Sequence, residues 1–358
     1  MPEGHVIHRM AAAYDRAFAG TVTHSSSPQG RFAEGAASLD GLVMDSAEAV
    51  GKHFFAHFGP RIIHVHLGMA GRTSLHHGSP SGPVTERLGE KITVTDDATG
   101  TPAKTPPDHP RPAGLTRTGD AHDSPVPRDP GGEGELPTPV FSGETSRPVL
   151  GAVRWRLEND RAWADLSGPA ICEVLDPEGF DSVLERLGPD PLRPDADPLR
   201  AWEKVRRSKQ PIALLLMDQK VFAGVGNIFR AEVLYRLGLD PRLPGIALKR
   251  SEFDALWADL VYLMRYAVEH GEIDTVRPEH MPEAMGRPRR VDPHGGEVYV
   301  YRRSDMDCYV CGSRIRTSVI GNRNLFWCPG CQPLSRRAPA VQARREARAA
   351  AKIGRLLP

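Results

Sequence analysis

Apolar and polar residues follow two different periods along the chain. Near the start, apolar residues recur at the spacing of one helical face, which predicts a helix over residues 4–19 that ends at Gly20. The next segment alternates between apolar and polar residues and turns often, which is typical of strands. Within residues 61–67, three apolar residues fall on one face, and His64 and His66 fall on the other. The pattern therefore predicts a β-sheet structure that follows one helix.

The segment 76–148 interrupts this pattern. Residues 101–148 contain eleven of the 33 prolines, few aromatic residues and no periodicity. Such a composition cannot bury enough apolar surface to offset the entropy lost on ordering. We therefore expect a disordered insertion inside the first domain, with at most a short strand at Lys91–Thr95. Clean alternation returns at residues 152–157, where the sheet resumes.

The second half of the chain has a helical period. Residues 189–200 are rich in proline and indicate a linker. Beyond them, apolar stripes with helical spacing recur up to about residue 267. Ser251 followed by Asp254 predicts the cap of the last of these helices. This half is therefore predicted to be an all-helical domain.

Four of the five cysteines form two Cys-x-x-Cys pairs that are sixteen residues apart. Two such pairs supply four thiolates, a tetrahedral set suited to Zn²⁺. The runs between them flank Gly321-Asn322, a dipeptide typical of a hairpin turn. Two disulfides are the alternative, but nothing else in the sequence suggests secretion. We expect one zinc ion, and a structural one because four thiolates leave no open coordination position, with the ligands Cys308, Cys311, Cys328 and Cys331.

This assignment also affects the two histidines of the alternating segment. His64 and His66 lie two apart on a predicted strand, a spacing that can bind a metal. Because the cysteines already account for a metal ion, we interpret both as structural residues or as residues that line a site.

Charge is unevenly distributed along the 358 residues. The net charge is +1, yet residues 301–358 contain twelve Lys and Arg against three Asp and Glu. A basic end around a zinc hairpin indicates a polyanionic partner, most simply nucleic acid, although residues 335–358 could equally be a solvated tail. No apolar run reaches the ~18 residues of a membrane span, and the polar N-terminus does not resemble a signal peptide. We therefore expect an intracellular protein.

The N-terminal residues carry a candidate chemistry. If Met1 is removed, Pro2 exposes a secondary amine, and N-terminal amines have a pKa of ~8. Such an amine can attack a carbon at the aldehyde level and form an iminium. Glu3 places a carboxylate beside it for proton transfer. Taken alone, however, these residues are compatible with an ordinary N-terminus.

Two further features could bind phosphate. The turn Gly224-Val-Gly-Asn227 precedes a helix, so its backbone N–H groups and the helix N-terminus could hold an anion. Arg323, on the cysteine hairpin, could grip a phosphate through two hydrogen bonds. Neither feature names a reaction.

Together and in this order, these motifs resemble the formamidopyrimidine-DNA glycosylase/endonuclease VIII family of base-excision repair enzymes. The resemblance covers nearly the whole chain apart from residues 76–148 and the tail after 334. The PEGH start, the WCPGCQ motif and the stretch around LLMDQ are most similar to actinobacterial endonuclease VIII proteins. The matching motifs are Pro2-Glu3-Gly4, Gly51-Lys52, His66-Leu-Gly-Met69, Gly224-Val-Gly-Asn227 and the four-cysteine hairpin with Arg323.

The resemblance implies a role for each matching residue. Pro2 would be the nucleophile at C1′ of the damaged nucleotide, and Glu3 the acid/base that protonates the sugar oxygen. Lys52 would hold a phosphate and serve in β-elimination.

The remaining roles concern DNA contacts. Asn227 would bind phosphates beside the lesion, and Arg323 would contact phosphate and serve in δ-elimination. Met69 would fill the gap left by a flipped-out base, since a flexible apolar side chain replaces lost stacking. The His-Leu-Gly-Met motif is, however, that of the 8-oxoguanine branch of the family.

The resemblance also implies an α+β fold with several parts. We expect an N-terminal β-sandwich domain with an N-terminal helix over residues 1–188, interrupted by the insertion 76–148. A helix–two-turns–helix DNA-binding domain would cover 189–296, the zinc-binding β-hairpin 297–334, and a basic tail 335–358.

The expected function is that of a bifunctional DNA glycosylase and AP lyase. It would remove oxidised pyrimidines through a Schiff base at Pro2 and nick the strand by β,δ-elimination. Its partner would be damaged double-stranded DNA, with no membrane contact, and the protein would be a monomer in the cytoplasm, associated with the nucleoid. Two alternatives are an 8-oxoguanine/formamidopyrimidine glycosylase of the same family and a non-catalytic zinc-hairpin protein that binds damaged DNA.

Overall fold

The N-terminal helix packs against a β-sandwich. A computed structural model describes residues 2–77, 84–88, 149, 151–291 and 296–337, so the predicted strand Lys91–Thr95 and most of the basic tail lie outside the described residues. Helix α1 (Gly4–Phe18) matches the predicted helix closely. Its buried face includes Met10 and Tyr14, two large side chains with no solvent exposure.

Two antiparallel sheets form the sandwich, as expected. The first has four strands in the order β2 (Ser46–Val50), β3 (His53–Phe58), β4 (Arg61–His66) and β9 (Ile171–Leu175). The second has five strands in the order β1 (His24–Ser26), β7 (Val153–Glu158), β8 (Ala162–Ser167), β5 (Arg72–His77) and β6 (Val84–Leu88). Helix α2 (Ala33–Leu39) contacts β1.

The main core of this half lies between the sheets and α1. Strand β4 shows the predicted alternation, because Ile63 and Val65 enter this core whereas Ile62 belongs to a second, smaller cluster. That second cluster lies under α3 (Pro177–Glu185) and includes Phe55. Both faces of the four-stranded sheet are therefore covered.

The predicted start of the insertion at residue 76 is wrong at its edge. Strand β5 continues to His77, and β6 pairs with it in antiparallel register from Thr73↔Leu88 to His77↔Val84. An outer strand is held by backbone hydrogen bonds to its neighbour, so it needs no strong apolar pattern in the sequence. Residues 89–148 lie outside the described part of the chain.

The second half of the chain is helical up to the cysteine hairpin. Its helices are α4 (Pro198–Val205), α5 (Ile212–Leu215), α6 (Asn227–Arg236), α7 (Arg250–His270) and α8 (Pro282–Met285), with 3-10 turns at Gly245–Ala247 and Pro278–His280. Within the described residues, no helix is both long enough and apolar enough to span a membrane.

The predicted cap of α7 is wrong. Lys249 is the N-cap residue, and its backbone N–H donates to Glu252 Oε2 at 2.9 Å. The acidic residue that accepts from the N-cap N–H is therefore Glu252 and not Asp254. Asp254 instead pairs with Arg250 on the exposed face of the helix.

The C-terminal hairpin has the predicted geometry. Strands β10 (Arg316–Ile320) and β11 (Arg323–Trp327) pair in antiparallel register. Gly321 and Asn322 connect them with φ angles of 56° and 58°. Two successive residues with positive φ are what a two-residue type I′ hairpin turn requires, and glycine and asparagine tolerate this conformation best.

Glu232 of α6 anchors the segment that leads into this hairpin. Its carboxylate is fully buried and accepts hydrogen bonds from the backbone N–H groups of Tyr299, Val300 and Tyr301 at 2.7–2.8 Å. The Thr275 hydroxyl donates a fourth hydrogen bond at 2.6 Å. The start of the hairpin region is thereby fixed to α6.

Candidate active site and metal centre

Glu3 lies at the N-terminus of helix α6, far from it in sequence. Glu3 Oε1 accepts from the Ile228 N–H at 2.8 Å, and Oε2 accepts from the Phe229 N–H at 3.4 Å. Unpaired N–H groups and the helix dipole favour an anion at this position. Gly226 provides the space, because a Cβ there would lie 2.2 Å from Glu3 Cδ. The N-terminus of the chain is thus built into the start of α6.

Three N–H groups in or just after the turn before α6 already have partners within the chain. The N–H groups of Ile228 and Phe229 already bind Glu3, while the Gly224 N–H donates to Gln219 Oε1 at 2.9 Å. The Gly224 carbonyl accepts from the Gly4 N–H at 2.8 Å. A sequence motif cannot reveal that a carboxylate from the other end of the chain takes the anion's place.

Pro2, the predicted nucleophile, is the residue before Glu3. It is half-buried, and the hydrogen bond from Gly4 to the turn holds the segment that follows it. Pro2 is thus half-buried and directly precedes the buried Glu3 in the chain.

Lys52 completes a buried acid–base pair. It follows the β2–β3 turn residue Gly51 and is 5% exposed. Burial lowers the pKa of Lys52, Glu3 opposes this change, and the positive charge of Arg323 adds to it. Burial likewise raises the pKa of Glu3, against the opposing effects of Lys52 and of the two helix N–H groups.

Both shifts favour the neutral forms of the two groups. An acid that keeps its proton and an amine that gives its proton up are suited to proton transfer near neutral pH. The effect of Arg323 on Lys52 also shows that the hairpin arginine lies close to this pair. The structure thus brings together Glu3, Lys52 and Arg323, although Arg323 lies 271 positions after Lys52 in the sequence (323 − 52).

Arg230 is a site residue that the sequence analysis missed. It lies one turn after Asn227 on α6 and is fully buried, and burial lowers its pKa to about 10. Its guanidinium donates to Asn227 Oδ1 and, through Nη2, to the Asn324 carbonyl at 2.8 Å. Its Nε and Nη1 atoms have no hydrogen-bond partner within the described residues. We call Glu3, Lys52, Arg230 and Arg323 the Glu3 corner.

Asn227 joins α6 to the hairpin. Its side-chain amide donates to the Asn324 carbonyl at 3.1 Å, the acceptor that it shares with Arg230. The residue expected to bind phosphate therefore also fixes the hairpin that carries Arg323. The only signal for Arg230 in the sequence is its position three residues after Asn227.

A second missed residue is Asp190, in the segment interpreted as a linker. It is 2% exposed, and its Oδ2 accepts from the Gly51 N–H and lies 2.7 Å from His8 Nε2. Its Oδ1 accepts from the Leu192 N–H at 2.9 Å. The surrounding prolines suggested only a connection between domains.

Met69 is an exposed apolar residue. It occupies the turn after β4 and is 73% exposed. An apolar side chain held out in this way is available to a partner, whereas a core residue would be covered.

The histidines next to Lys52 are explained by hydrogen bonds. His64 lies between His53 and Glu173, with nitrogen contacts of 2.8 Å to His53 Nδ1 and 2.9 Å to Glu173 Oε1. Burial lowers the pKa of His64, which favours the neutral ring. His66 Nδ1 accepts from the Gly68 N–H at 3.1 Å. The interpretation of these residues as structural or site-lining agrees with these contacts.

Among the described residues, the predicted set of four cysteines forms a cluster that could hold a metal ion. Their Sγ atoms all lie within 4.8 Å of one another, and the pairs 308–331 and 311–328 are 3.8 and 3.4 Å apart. Metal–sulfur bonds of ~2.3 Å in a tetrahedron give sulfur separations of about 3.8 Å. All four are free thiols, so the two-disulfide alternative is wrong, and the set fits one ion held by Cys308, Cys311, Cys328 and Cys331.

Known proteins share both halves of this architecture. Residues 1–111 match the family model of the formamidopyrimidine-DNA glycosylase N-terminal domain, and residues 187–277 match the formamidopyrimidine-DNA glycosylase H2TH domain. In the Lactococcus lactis Fpg, solved in complex with DNA containing an abasic site, the fold aligns with a TM-score of 0.60 at 16% identity. That alignment covers 93% of this chain and all of the other.

Sequence relatives extend over nearly the full chain. Endonuclease 8 1 of Mycobacterium tuberculosis is 40% identical over 333 residues, which cover 93% of this chain and 100% of the relative. Formamidopyrimidine-DNA glycosylase of Alteromonas mediterranea is 32% identical over 156 residues, 44% of this chain and 56% of the relative. The chain belongs to the formamidopyrimidine-DNA glycosylase/endonuclease VIII family and is an enzyme of base-excision repair, a DNA glycosylase with AP lyase activity.

Proposed function

We propose that this glycosylase removes oxidised pyrimidines from double-stranded DNA and cuts the strand by β,δ-elimination. The observation that carries the proposal is the Glu3 corner, next to Pro2 in the sequence, where burial raises the pKa of the Glu3 carboxyl group and lowers the pKa of the Lys52 amine. The preference for pyrimidines rests on the 40% identity to an endonuclease 8 over nearly the whole chain.

The first step uses the N-terminal amine. After removal of Met1, the nitrogen of Pro2 attacks C1′ of the damaged nucleotide, and the base departs with the electrons of the glycosidic bond. Glu3 donates a proton to the sugar ring oxygen, so the ring opens and an iminium joins Pro2 to C1′. Burial raises the pKa of Glu3 and so extends to higher pH the range in which it can donate that proton.

The second step is elimination. The iminium withdraws electrons, so a base can remove a proton from C2′ and the 3′ phosphate leaves. Lys52 serves this step, because its lowered pKa increases the fraction of free amine. In its protonated form, Lys52 holds a phosphate. Arg323 contacts phosphate and serves the second, δ-elimination, which leaves phosphates at both ends of the gap. Asn227 binds phosphates beside the lesion, and Met69 fills the space of the extruded base.

We propose that the four cysteines hold one structural Zn²⁺, because a set of four thiolates suits this ion and leaves no position open for substrate. Chelation should release one zinc per chain and abolish binding of duplex DNA, as measured by fluorescence anisotropy. Unchanged DNA binding after complete zinc loss would show that the hairpin does not need the ion.

The proposal also includes the domain boundaries, the oligomeric state and the cellular location. The domains would be 1–188, 189–296 and 297–334, with a basic tail at 335–358, and the matched family models at 1–111 and 187–277 fall within or close to the first two. One chain contains every residue of the proposed site, which supports a monomer. Its place would be the cytoplasm, at the nucleoid, where the DNA substrate lies.

Trapping with borohydride tests the chemistry. Wild-type protein incubated with abasic DNA and borohydride should form a stable covalent adduct, and Pro2→Gly should lose most of it. An undiminished adduct with Pro2→Gly, or none with wild type, would refute the Schiff base at Pro2.

Substrate preference needs a separate comparison. Duplexes with thymine glycol should be cut faster than duplexes with 8-oxoguanine. The reverse order would favour the 8-oxoguanine/formamidopyrimidine alternative, which the exposed Met69 of the His-Leu-Gly-Met motif supports.

A further inference from the structure

Asp190 lies where three separate parts of the chain meet. Its carboxylate contacts His8 of α1, the Gly51 N–H of the β2–β3 turn and the Leu192 N–H of its own segment, at 2.7, 2.7 and 2.9 Å. The residues before it are tied to the helical half, because the Gly188 N–H donates to the Gln219 carbonyl at 2.8 Å. Asp190 therefore connects the sandwich to the loop that leads into α6.

Gly51 is held on two sides. Its φ is +64°, a conformation that favours glycine, and a Cβ would lie 2.9 Å from Ala223 Cβ and 3.0 Å from Gly224 N. On the opposite side, its N–H donates to Asp190 Oδ2. The turn is thus fixed between the loop before α6 and the Asp190 carboxylate.

Lys52 follows this turn directly, so the position of Gly51 determines where the lysine side chain starts. We propose that Asp190 is a positioning residue for Lys52, which it holds in the Glu3 corner through the Gly51 N–H. This inference rests on the proposed function of Lys52 in elimination. Asp190 lies outside the Glu3 corner. Through Asp190, the placement of Lys52 depends on the junction between the sandwich and the helical half.

The mechanism is geometric. The pKa of Lys52 is set by burial, by Glu3 and by Arg323, and Asp190 is not among these causes. A change at Asp190 should therefore reduce the rate of elimination through the position of Lys52 and not through a direct charge effect on the amine.

Asp190→Asn is the sharpest variant. An amide has one acceptor oxygen, so either the Gly51 N–H or the Leu192 N–H would face an NH₂ group. Asp195→Asn is the matched control, because it makes the same charge change in the same segment at a side chain that is 65% exposed and pairs with Arg193.

The test is a double-mutant cycle with Lys52→Ala, in which single-turnover cleavage of abasic DNA and borohydride trapping are measured side by side. Asp190→Asn should slow cleavage about tenfold to a hundredfold, as expected for a misplaced catalytic group. Trapping at Pro2 should change much less. In the Lys52→Ala background, Asp190→Asn should cause no further loss, and Asp195→Asn should match wild type throughout.

The possible failures are distinguishable. If the losses from Asp190→Asn and Lys52→Ala multiply, Asp190 does not act through Lys52 and the inference is overturned. If Lys52→Ala leaves cleavage unchanged while trapping persists, the proposed role of Lys52 is wrong and the inference falls with it. Should Asp190→Asn fail to fold, the same cycle with Asp190→Glu, which keeps both acceptors but displaces them, gives the same decision.

Discussion

Two buried glutamates are associated with helix α6: Glu232 belongs to the helix, and Glu3 contacts its N-terminus. They differ in how fully their carboxylates are hydrogen-bonded. Glu232 accepts four hydrogen bonds, three of them from successive backbone N–H groups. Glu3 accepts two, one of them long at 3.4 Å, and it faces Lys52. A carboxylate with a complete set of donors is part of the framework, whereas one with an incomplete set keeps the capacity to take up a proton.

The largest expected effect is the loss of Glu232. Glu232→Ala leaves three backbone N–H groups buried without acceptors, and each such group costs about 1–3 kcal/mol. We expect the free energy of unfolding to fall by several kcal/mol and zinc to be released at lower denaturant concentration. Urea unfolding followed with a zinc-sensitive dye measures both.

Glu232→Gln is the control for this change, because it retains one acceptor oxygen and should destabilise the protein less. A small effect of Glu232→Ala would show that water replaces the carboxylate, and the contrast with Glu3 would then disappear.

The second expected effect is on activity. Glu3→Gln keeps an oxygen that can accept from the Ile228 N–H but cannot supply a proton, and general acid catalysis typically contributes about 10²–10⁴-fold. Single-turnover base excision should therefore slow by roughly this factor, while the far-ultraviolet circular dichroism stays that of wild type. Full activity in Glu3→Gln would place the proton donor elsewhere.

The third expected effect is on the pH dependence of the elimination rate, which should shift in opposite directions in Arg323→Ala and Glu3→Gln. Glu3 raises the pKa of Lys52 and Arg323 lowers it. The proposed role of Lys52 in elimination needs its neutral form, so the rise in rate with pH should move to higher pH in Arg323→Ala and to lower pH in Glu3→Gln. Both variants are compared on preformed Schiff base, so that only the elimination step is timed.

Arg316→Ala is the matched control for the arginine, because it removes an exposed arginine from the other strand of the hairpin. It should leave the profile unchanged. A shift of equal size in Arg316→Ala would mean that the general charge of the hairpin acts on Lys52.

The smallest expected effect is on the pH dependence of stability. Burial raises the folded-state pKa of Glu3 above its unfolded value, so the protonated side chain favours the folded state. Its stabilising contribution is complete below the unfolded pKa and is lost as the pH rises through the folded pKa. Relative to wild type, Glu3→Gln should therefore gain stability as the pH rises from acidic to neutral, as thermal unfolding will show. A constant difference across that range would contradict the raised pKa.

The features predicted from the sequence are those that short segments determine. The four cysteines, the Gly321-Asn322 turn and the alternation of β4 depend on spacing within a few dozen residues, and the structure has each of them. The predicted N-cap of α7, Ser251, lies two positions after the observed N-cap, Lys249. Both residues have an acidic residue three positions later, Asp254 and Glu252. Local patterns identify an element well and its exact start less well.

The parts that could not be predicted are contacts between distant segments. No local pattern shows that Glu3 occupies the N-terminus of α6 or that Asp190 reaches Gly51. Arg230 is on a helix whose residues are nearly all buried, so a charged position there gave no indication of its neighbours. Pro2, Glu3 and Arg323 were indicated by their own chemistry, and the resemblance to a known family added Lys52 and the role of each residue. The geometry then added Arg230 and Asp190.

The contact between Glu3 and Ile228 has a consequence for the order of biosynthesis. The two residues are 225 positions apart, so Glu3 finds its helix only after residue 228 has left the ribosome. Arg323, which sets the electrostatics of Lys52, emerges later still. A nascent chain can form its sandwich early, but Glu3 and Lys52 meet Arg323 only after the hairpin has been synthesised.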